Sequence, residues 1–266
     1  MLHSENYQSM MIERRDDGVA VVTLNRPKNL NAANSTMHTE LTRFSSDFAS
    51  DNDLRAMVIT GAGRAFCVGG DFSEDDQVSG GAHGQELWRE SRQIVENMLA
   101  CDKPIIAAVN GYAMGLGATV ALLADVVVVS PSTILADTHV SMGIGAGDGG
   151  QVIWPFLIGV NRAKYYLMTG DRISGSEAVD MGLANFMVAE DDLLLPRALE
   201  IAAKLAAGPP QAIAASKMAV NAYLRSVCAM VFPLAARAQE ITMLSDDHQE
   251  AISAFQEKRA PVFTGK

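Results

Sequence analysis

Two glycine-containing turns are the segments of this sequence best suited to bind a small negatively charged group. They are Cys67–Asp71 and Ala113–Gly117, and each follows an apolar stretch typical of a buried strand. Glycines let main-chain N–H groups come close to a ligand, and an N–H at a helix start carries the favourable end of the helix dipole. Two such donors directed at one oxygen would form an oxyanion hole, where each donor is typically worth about 3–4 kcal/mol in the transition state.

Other catalytic motifs are absent from the sequence. Val120 stands where a GxGxxG motif begun at Gly115 needs its third glycine, and there is no GxxxxGK[ST] or GxSxG pattern. The five histidines have no metal-ligand spacing, so we predict no metal site. Cys67 has no neighbouring histidine in the sequence and is interpreted as a packing residue. The three cysteines include no close pair, which fits a reducing compartment.

Strands and helices alternate around these turns, which is typical of an α/β layer fold. The apolar patterns predict strands at residues 19–25, 56–60, 104–109 and 125–129, and helices at residues 35–50, 86–100 and 114–124. Ser174–Glu177 has the pattern of a capping box, which predicts a short helix ending at Gly182. Residues 193–255 are helical in pattern. We therefore expect a core over residues 1–195 and a C-terminal helical region over residues 196–266.

Composition restricts the class of protein. The 266 residues are 48% hydrophobic and 20% charged, which is a globular balance, and the net charge of −10 argues against non-specific nucleic-acid binding. The first residues contain no apolar segment of a secretory signal. The most apolar run, residues 105–129, is interrupted by Asn110 and Asp125, so we interpret it as buried core. We expect a cytoplasmic protein without membrane or nucleic-acid partners.

Five blocks of sequence, in the same order, resemble the crotonase (enoyl-CoA hydratase/isomerase) superfamily from about residue 12 onward. They are residues 25–32, 63–71, 108–125, 167–182 and 255–259. The resemblance implies an α/β fold built as a spiral of ββα units, with a C-terminal helical region that forms trimers. It also implies that the trimers often pair into hexamers.

The resemblance implies a substrate that is an acyl-CoA thioester. The main-chain N–H groups of Gly70 and Leu116 would bind its carbonyl oxygen and stabilise the enolate. Coenzyme A is then part of the substrate, and no separate cofactor is expected. The residues implied in coenzyme A binding are Lys28, Asn29, Leu30, the carbonyl of Val68, and, often across a subunit boundary, Phe255 and Lys258. The alternative for the two lysines is solvated surface charge.

The sequence departs from the hydratase pattern at its two catalytic glutamates. Alignment on the surrounding blocks places Thr119 and His139 at those positions, so delivery of water by two glutamates is excluded. Thr119 can hold a water molecule but cannot take its proton near neutral pH, and it is equally suited to helix packing. An imidazole titrates near neutrality, so His139 is a candidate general base.

Asp148 lies nine residues after His139 in a glycine-rich segment and could orient the ring, as an aspartate does in a catalytic triad. This stretch also resembles the β-diketone (oxocamphor) hydrolase branch, in which a histidine and an aspartate cleave a C–C bond by a retro-Claisen reaction. Two alternatives therefore remain beside an enoyl-CoA hydratase or acyl-CoA hydrolase: a β-diketone hydrolase and a CoA-binding protein without activity. The non-catalytic alternative is that His139 is a partly buried polar residue and that Asp148 caps the helix after Gly150. Residues 72–85 and Trp88 are expected to shape the acyl pocket.

Overall fold

The protein is described here by a computed structural model, which covers the backbone of residues 1–71 and 82–266 and the side chains of residues 1–71 and 89–266. The predicted pocket role of residues 72–85 and Trp88 concerns side chains outside these ranges.

A six-stranded sheet forms the centre of the molecule, in the order β1-β2-β3-β5-β7-β10. Its strands are β1 (Met10–Arg14), β2 (Val19–Leu24), β3 (Ala56–Gly61), β5 (Ile105–Val109), β7 (Val126–Val129) and β10 (Phe186–Met187). Only β1 is antiparallel to its neighbour among the described strands of this sheet. The four strands predicted from apolar runs are β2, β3, β5 and β7, and all four are confirmed.

A second sheet of four short strands lies beside the first, in the order β4-β6-β8-β9. Its strands are β4 (Ala65–Cys67), β6 (Tyr112–Met114), β8 (Ile134–Ala136) and β9 (Ile173–Ser174). Each of β3, β5 and β7 leads into one strand of this sheet and then into a helix. The result is three consecutive ββα units with parallel β4, β6 and β8, as the fold prediction requires.

The helices cover both faces of the large sheet. They are α1 (Ser35–Ala49), α2 (Ala82–Ala100), α3 (Leu116–Leu122), α4 (Gly150–Ile158), α5 (Val160–Thr169), α6 (Gly175–Met181), α7 (Leu194–Ala206), α8 (Pro210–Met243) and α9 (Asp246–Glu257). The predicted helix at residues 114–124 is shorter than expected because Met114 completes β6. The capping box of α6 is confirmed: Ser174 and Glu177 bond each other's backbone N–H groups, and the helix ends at Gly182.

Two apolar clusters hold these layers together. One face of the large sheet packs with α1, α2 and α3, where Phe44, Phe48 and Trp154 are fully buried. The other face packs with α7, through Ala198 and Ala202. Side chains alternate between the faces of a strand, and both faces of β3 and β5 are covered, which explains their continuous apolar sequences.

The C-terminal region is dominated by the 34-residue helix α8. It packs against α2 and α4, yet several of its large apolar side chains are exposed: Val220, Tyr223, Met230 and Leu234. Among the described residues it is also the one helix whose length and composition would suit a membrane span, and 22% of its apolar window is buried. Much of its apolar surface is therefore uncovered within a single chain.

Candidate active site

The candidate site lies where three parallel strands end. The Gly69–Gly70 turn follows β4, the Gly115 turn follows β6, and Asp137 follows β8. Parallel neighbouring strands end at the same edge of a sheet, and such edges are where α/β folds bind ligands. The three ββα units thus bring together residues that are up to about 70 positions apart in the sequence.

The two glycine turns predicted from sequence are in direct contact. A Cβ atom at Gly69 would lie 3.2 Å from the Met114 carbonyl oxygen, and one at Gly117 would lie 2.8 Å from the Cys67 carbonyl carbon. Gly69 and Gly115 have φ angles of 91° and 50°, a region that glycine adopts at little cost. Close backbone packing of this kind requires glycine on both turns.

The backbone around Gly70 and Leu116 leaves both predicted N–H donors available. Ala33 donates to the Gly69 carbonyl and accepts from the Asp71 N–H, which fixes the turn on either side of Gly70. Gly115 donates to Ala136, and Leu116 then begins α3. No hydrogen bond joins the N–H of Gly70 or of Leu116 to any residue in the part of the chain that the structure describes. Both groups can therefore serve an external oxygen.

His139 lies between two buried carboxylates. Its Nδ1 is 2.7 Å from Asp137 Oδ1, and its Nε2 is 3.1 Å from Asp148 Oδ2. The His139 side chain is 11% exposed. The predicted pairing of His139 with Asp148 is present, whereas the contact with Asp137 was not foreseen. We call Asp137, His139 and Asp148 the Asp–His–Asp cluster.

Thr119 connects this cluster to the second glycine turn. Its hydroxyl donates to Asp148 Oδ1 over 3.1 Å, and the residue is fully buried in α3. The two positions where the resemblance implies glutamates, Thr119 and His139, are thus joined through one carboxylate. The hydroxyl is already bound to Asp148, in addition to its packing within the helix.

The His139 ring also lies beside the second glycine turn. A Cβ atom at Gly115 would be 3.5 Å from His139 Cε1 and 3.9 Å from His139 Nδ1. Gly115 immediately precedes Leu116, so the ring and the Leu116 N–H are neighbours across this turn. The site therefore combines main-chain donors with a titratable side chain.

The electrostatics of the cluster favour a charged ring. Burial alone would lower the pKa of His139, but the charges of Asp148 and then Asp137, with their hydrogen bonds, raise this pKa well above its usual value. Burial would likewise raise the pKa of Asp148, yet the His139 charge and hydrogen bond, with smaller effects from Thr119 and His38, lower it. The surroundings of His139 therefore favour the protonated, positively charged ring.

The Asp–His–Asp cluster has the residue types of a metal site. One ligand atom from each residue lies within 4.8 Å of the others. Both ring nitrogens already face carboxylates, however. The donor set is arranged for proton transfer, because each ring nitrogen is paired with a carboxylate oxygen.

The residues implied in coenzyme A binding fall in two places. Lys28 and Asn29 are exposed in a short 3-10 helix, Pro27–Asn29, and Leu30 follows in the left-handed conformation. The Asn29 amide donates to Asp71 Oδ2 over 3.2 Å, and Arg26 pairs with the same oxygen over 2.8 Å. The segment is thus tied to the first glycine turn, where Val68 is partly buried.

The other two predicted coenzyme A residues lie on α9. Phe255 is exposed on this helix, and Lys258 follows its end in the left-handed conformation. No described contact joins either residue to Lys28 or Asn29 within the chain. Their predicted role across a subunit boundary stays a prediction.

Cys67 has the properties of a packing residue, as the sequence analysis expects. It is buried, and burial raises the pKa of its thiol to about 11. Asp137 is the residue that sequence analysis missed. Its signal was the Asp-Thr-His spacing, which puts Oδ1 within reach of both the backbone N–H and Nδ1 of His139 once β8 ends at Ala136.

Comparison with known proteins gives a consistent result over nearly the whole chain. A family model described as enoyl-CoA hydratase/isomerase matches residues 14–266. The 1,2-epoxyphenylacetyl-CoA isomerase of Escherichia coli is 32% identical, covering 94% of this chain and 97% of the relative. The 2,3-dehydroadipyl-CoA hydratase of the same organism is 35% identical, covering 97% and 100%.

Solved structures agree with this result. A crystal structure of an enoyl-CoA hydratase/isomerase from Mycobacterium paratuberculosis superposes with a TM-score of 0.87 at 35% identity, covering 92% of this chain and 97% of that chain. The two Escherichia coli relatives carry different reaction names, so similarity at this level does not select one reaction.

Proposed function

Because the chain belongs to the enoyl-CoA hydratase/isomerase family, we propose that it acts on an acyl-CoA thioester through an enolate. The N–H groups of Gly70 and Leu116 bind the thioester oxygen, and the Asp–His–Asp cluster moves the proton in place of the usual glutamate pair. The observation that carries the proposal is the position of His139, next to Gly115 and between two carboxylates.

The charge state of His139 refines the expected role of this ring. A histidine acts as a general base only in its neutral form, but the two carboxylates favour the protonated ring. In our proposal water adds to the β-carbon of an enoyl-CoA, which gives the enolate, and the charged ring donates its proton to the α-carbon while Asp137 holds Nδ1. The neutral ring that results can take up the next proton, and Asp148 stabilises the charged form throughout. This division of work follows the supporting role of an aspartate in a triad.

Two reactions are compatible with this arrangement. In hydration, the oxygen of water bonds to the β-carbon of an enoyl-CoA, one water proton goes to the cluster, and one proton is delivered to the α-carbon. In thioester hydrolysis, water adds to the carbonyl carbon and coenzyme A leaves as the thiol. We propose hydration as the main activity, in agreement with the names of several relatives.

Coenzyme A would be held by the segment that ends at the first glycine turn. Lys28 supplies an exposed positive charge, and Asn29 connects the segment to Asp71. We further propose that the protein is a homotrimer or a dimer of trimers, in which Phe255 and Lys258 of one chain complete the coenzyme A site of another. The exposed apolar side chains of α8 and the exposed Phe255 support this assembly.

One alternative is a retro-Claisen hydrolase of a β-diketone. The His139–Asp148 contact, in a site without the two glutamates, is the observation that favours it. In that reaction water adds to one carbonyl, and the C–C bond then breaks to give an enolate that the same two N–H groups could hold. A CoA-binding protein without turnover is the other alternative, motivated by the missing glutamates.

Replacement of His139 by alanine tests the proposal. Loss of the proton donor should lower kcat/KM for the best enoyl-CoA by at least about 100-fold, the lower end for acid–base catalysis. The measurement is a steady-state assay with crotonyl-CoA, acetoacetyl-CoA and a bicyclic β-diketone. His3→Ala, which changes a histidine outside the site, is the matched control and should retain full activity.

Each outcome separates the candidates. Turnover of the β-diketone alone would select the retro-Claisen hydrolase. Tight binding of coenzyme A thioesters without product would select the inactive binding protein. If thioester turnover survives in His139→Ala, the assigned role of this ring is wrong even though the fold and the donor turns remain.

A further inference from the structure

A second buried polar cluster lies between α1 and α2, outside the residues used above. His38 Nδ1 is 2.8 Å from Glu90 Oε2, and Thr39 donates to Glu90 Oε1 over 2.7 Å. On the other side of the ring, His38 Nε2 is 3.4 Å from the Ser91 hydroxyl oxygen. His38 and Ser91 each retain about 6% exposure, so the group is enclosed but not sealed.

Packing places this group beside the candidate active site. His38 lies in the first turn of α1, which begins directly after the strand-like pairing of Ala33 with Gly70. Val95 follows Ser91 by one turn of α2, and a Cβ atom at Gly149 would be 2.8 Å from the side chains of both Val95 and Thr119. The group therefore lies between the first glycine turn and the segment that carries Asp148.

Electrostatics agree with this position. The charge of His38 is among the smaller causes that lower the pKa of Asp148, after His139 and Thr119. Burial would raise the pKa of Glu90, but its hydrogen bonds to His38 and Thr39 lower it, so Glu90 is a carboxylate. A carboxylate on Nδ1 fixes the ring and leaves Nε2 as the atom that can respond to a ligand.

The Nε2 contact with the Ser91 hydroxyl is the longer of the two contacts that the ring makes. At 3.4 Å it is longer than the roughly 2.9 Å typical of a hydrogen bond between nitrogen and oxygen. A hydroxyl can both donate and accept, so it suits Nε2 whether or not that nitrogen carries a proton. A better-placed hydroxyl from a substrate would satisfy the ring more fully than Ser91 does.

We propose that His38, fixed by Glu90, is a specificity-determining residue that binds a hydroxyl group on the acyl chain of the substrate. The proposal rests on the proposed function and narrows its substrate class to hydroxylated acyl-CoA thioesters. A site that hydrogen-bonds a substrate hydroxyl discriminates against the analogue without it, because Nε2 would then keep only its long contact with Ser91.

The test compares trans-2-enoyl-CoA thioesters with a hydroxyl at C4, C5 or C6, each paired with its parent without the hydroxyl. Wild-type enzyme should prefer at least one hydroxylated thioester by about tenfold or more in kcat/KM. In His38→Asn, the amide nitrogen can replace Nδ1 on Glu90 but does not reach the Nε2 position. This variant should remain folded, as thermal unfolding would show, and should lose the preference for the hydroxylated thioester.

Two further variants separate recognition from a structural role. In His38→Gln the amide reaches the Nε2 position, so part of the preference should return. Thr39→Val removes the other hydrogen bond to Glu90 while leaving the ring in place, and it should keep the wild-type preference. A wild-type enzyme with no preference for any hydroxylated thioester, or a His38→Asn variant that keeps the preference, would overturn the proposal.

Binding of the corresponding saturated thioesters, measured by calorimetry, tests the His38 site independently of the proposed reaction. A hydroxyl preference in binding without any turnover would support the His38 site while contradicting the proposed reaction. Turnover of parent and hydroxylated thioesters at equal rates and affinities would support the reaction and overturn the His38 site. Absence of both binding and turnover would contradict both proposals.

Discussion

At the scale of single residues, the proposed mechanism depends on one imidazole with a carboxylate on each nitrogen. Removing Asp148 or Asp137 changes the charge state of the ring, not only its orientation. A raised pKa in the folded protein means that the ring contributes stability fully below its unfolded value of about 6.5, and that this contribution is lost as pH rises through the folded pKa. Activity that needs the imidazolium should decline over the same upper range.

Asp137→Asn tests this dependence on pH. The variant keeps an acceptor oxygen near Nδ1 but removes one of the two negative charges, so the pKa of His139 should fall. The alkaline limb of the kcat/KM profile should therefore move to lower pH, and the loss of stability on raising the pH should begin earlier. Both effects are measurable from pH–rate profiles and urea unfolding between pH 6 and 10.

Asp17→Asn is the control for this experiment, because it removes one negative charge from an exposed loop. Its profile should coincide with that of the wild-type protein. An alkaline limb that stays in place in Asp137→Asn would show that the charged His139 ring does not set the pH dependence.

At the scale of elements, the two glycine turns are positioned by contact between backbones. The end of β4 and the start of α3 meet where a Cβ atom at Gly117 would overlap the Cys67 carbonyl. Neither element can move closer or further without changing the relative position of Gly70 and Leu116. The geometry of the donors is thus a property of this packing.

Gly117→Ala should disturb that packing. The added methyl must push α3 away from β4, and overpacking of a core typically costs about 1–3 kcal/mol of unfolding free energy. The rate should fall by more than the loss of folded protein explains, since one donor is displaced. Thermal unfolding and the steady-state assay together measure both effects.

Gly145→Ala provides the matched control, because the nearest described atom to its Cβ would be 3.8 Å away, an ordinary contact distance. Stability and rate should remain close to those of the wild-type protein. Equal behaviour of the two variants would contradict a special role for the Gly117 contact.

Much of this arrangement could be predicted from the sequence, and the failures have a common physical cause. The strands around Val58 and Ile106 and the capping box at Ser174 are local patterns, and all were predicted correctly. The strands β4, β6 and β8 have three residues each, too few for a periodic pattern, and they were missed. The contact of Asp137 with His139 depends on where β8 ends, so composition could not reveal it.

At the scale of the whole molecule, the uncovered apolar surface of α8 supports the proposed assembly. Single exposed apolar residues are ordinary, but several along one helix amount to a patch typical of an interface. The proposed trimer would bury this surface and bring α9 of one chain toward the coenzyme A segment of another. Binding of coenzyme A would then depend on assembly of the trimer.

Replacing Met230 and Leu234 together by glutamate should therefore shift the protein toward monomers, because two charges would be desolvated in the interface. Light scattering would report the mass, and the affinity for coenzyme A should fall with it if α9 acts across the boundary. Leu193→Glu, an exposed apolar position outside α8, is the control and should leave the mass unchanged. An unaltered mass in the double variant would place the interface elsewhere.

The close backbone contact between Gly117 and Cys67 determines which parts of the site can be changed by mutation. The N–H groups of Gly70 and Leu116 belong to the main chain, and van der Waals contact between backbones fixes their positions. The side chains around them can therefore be exchanged while the two N–H groups stay in place. Carboxylates at positions 119 and 139 could be introduced by design, one at a time, on this unchanged scaffold. Such variants would differ in the side chains that transfer protons while keeping the same main-chain donors at Gly70 and Leu116. Their reactions could then be compared with the substrate bound in the same way.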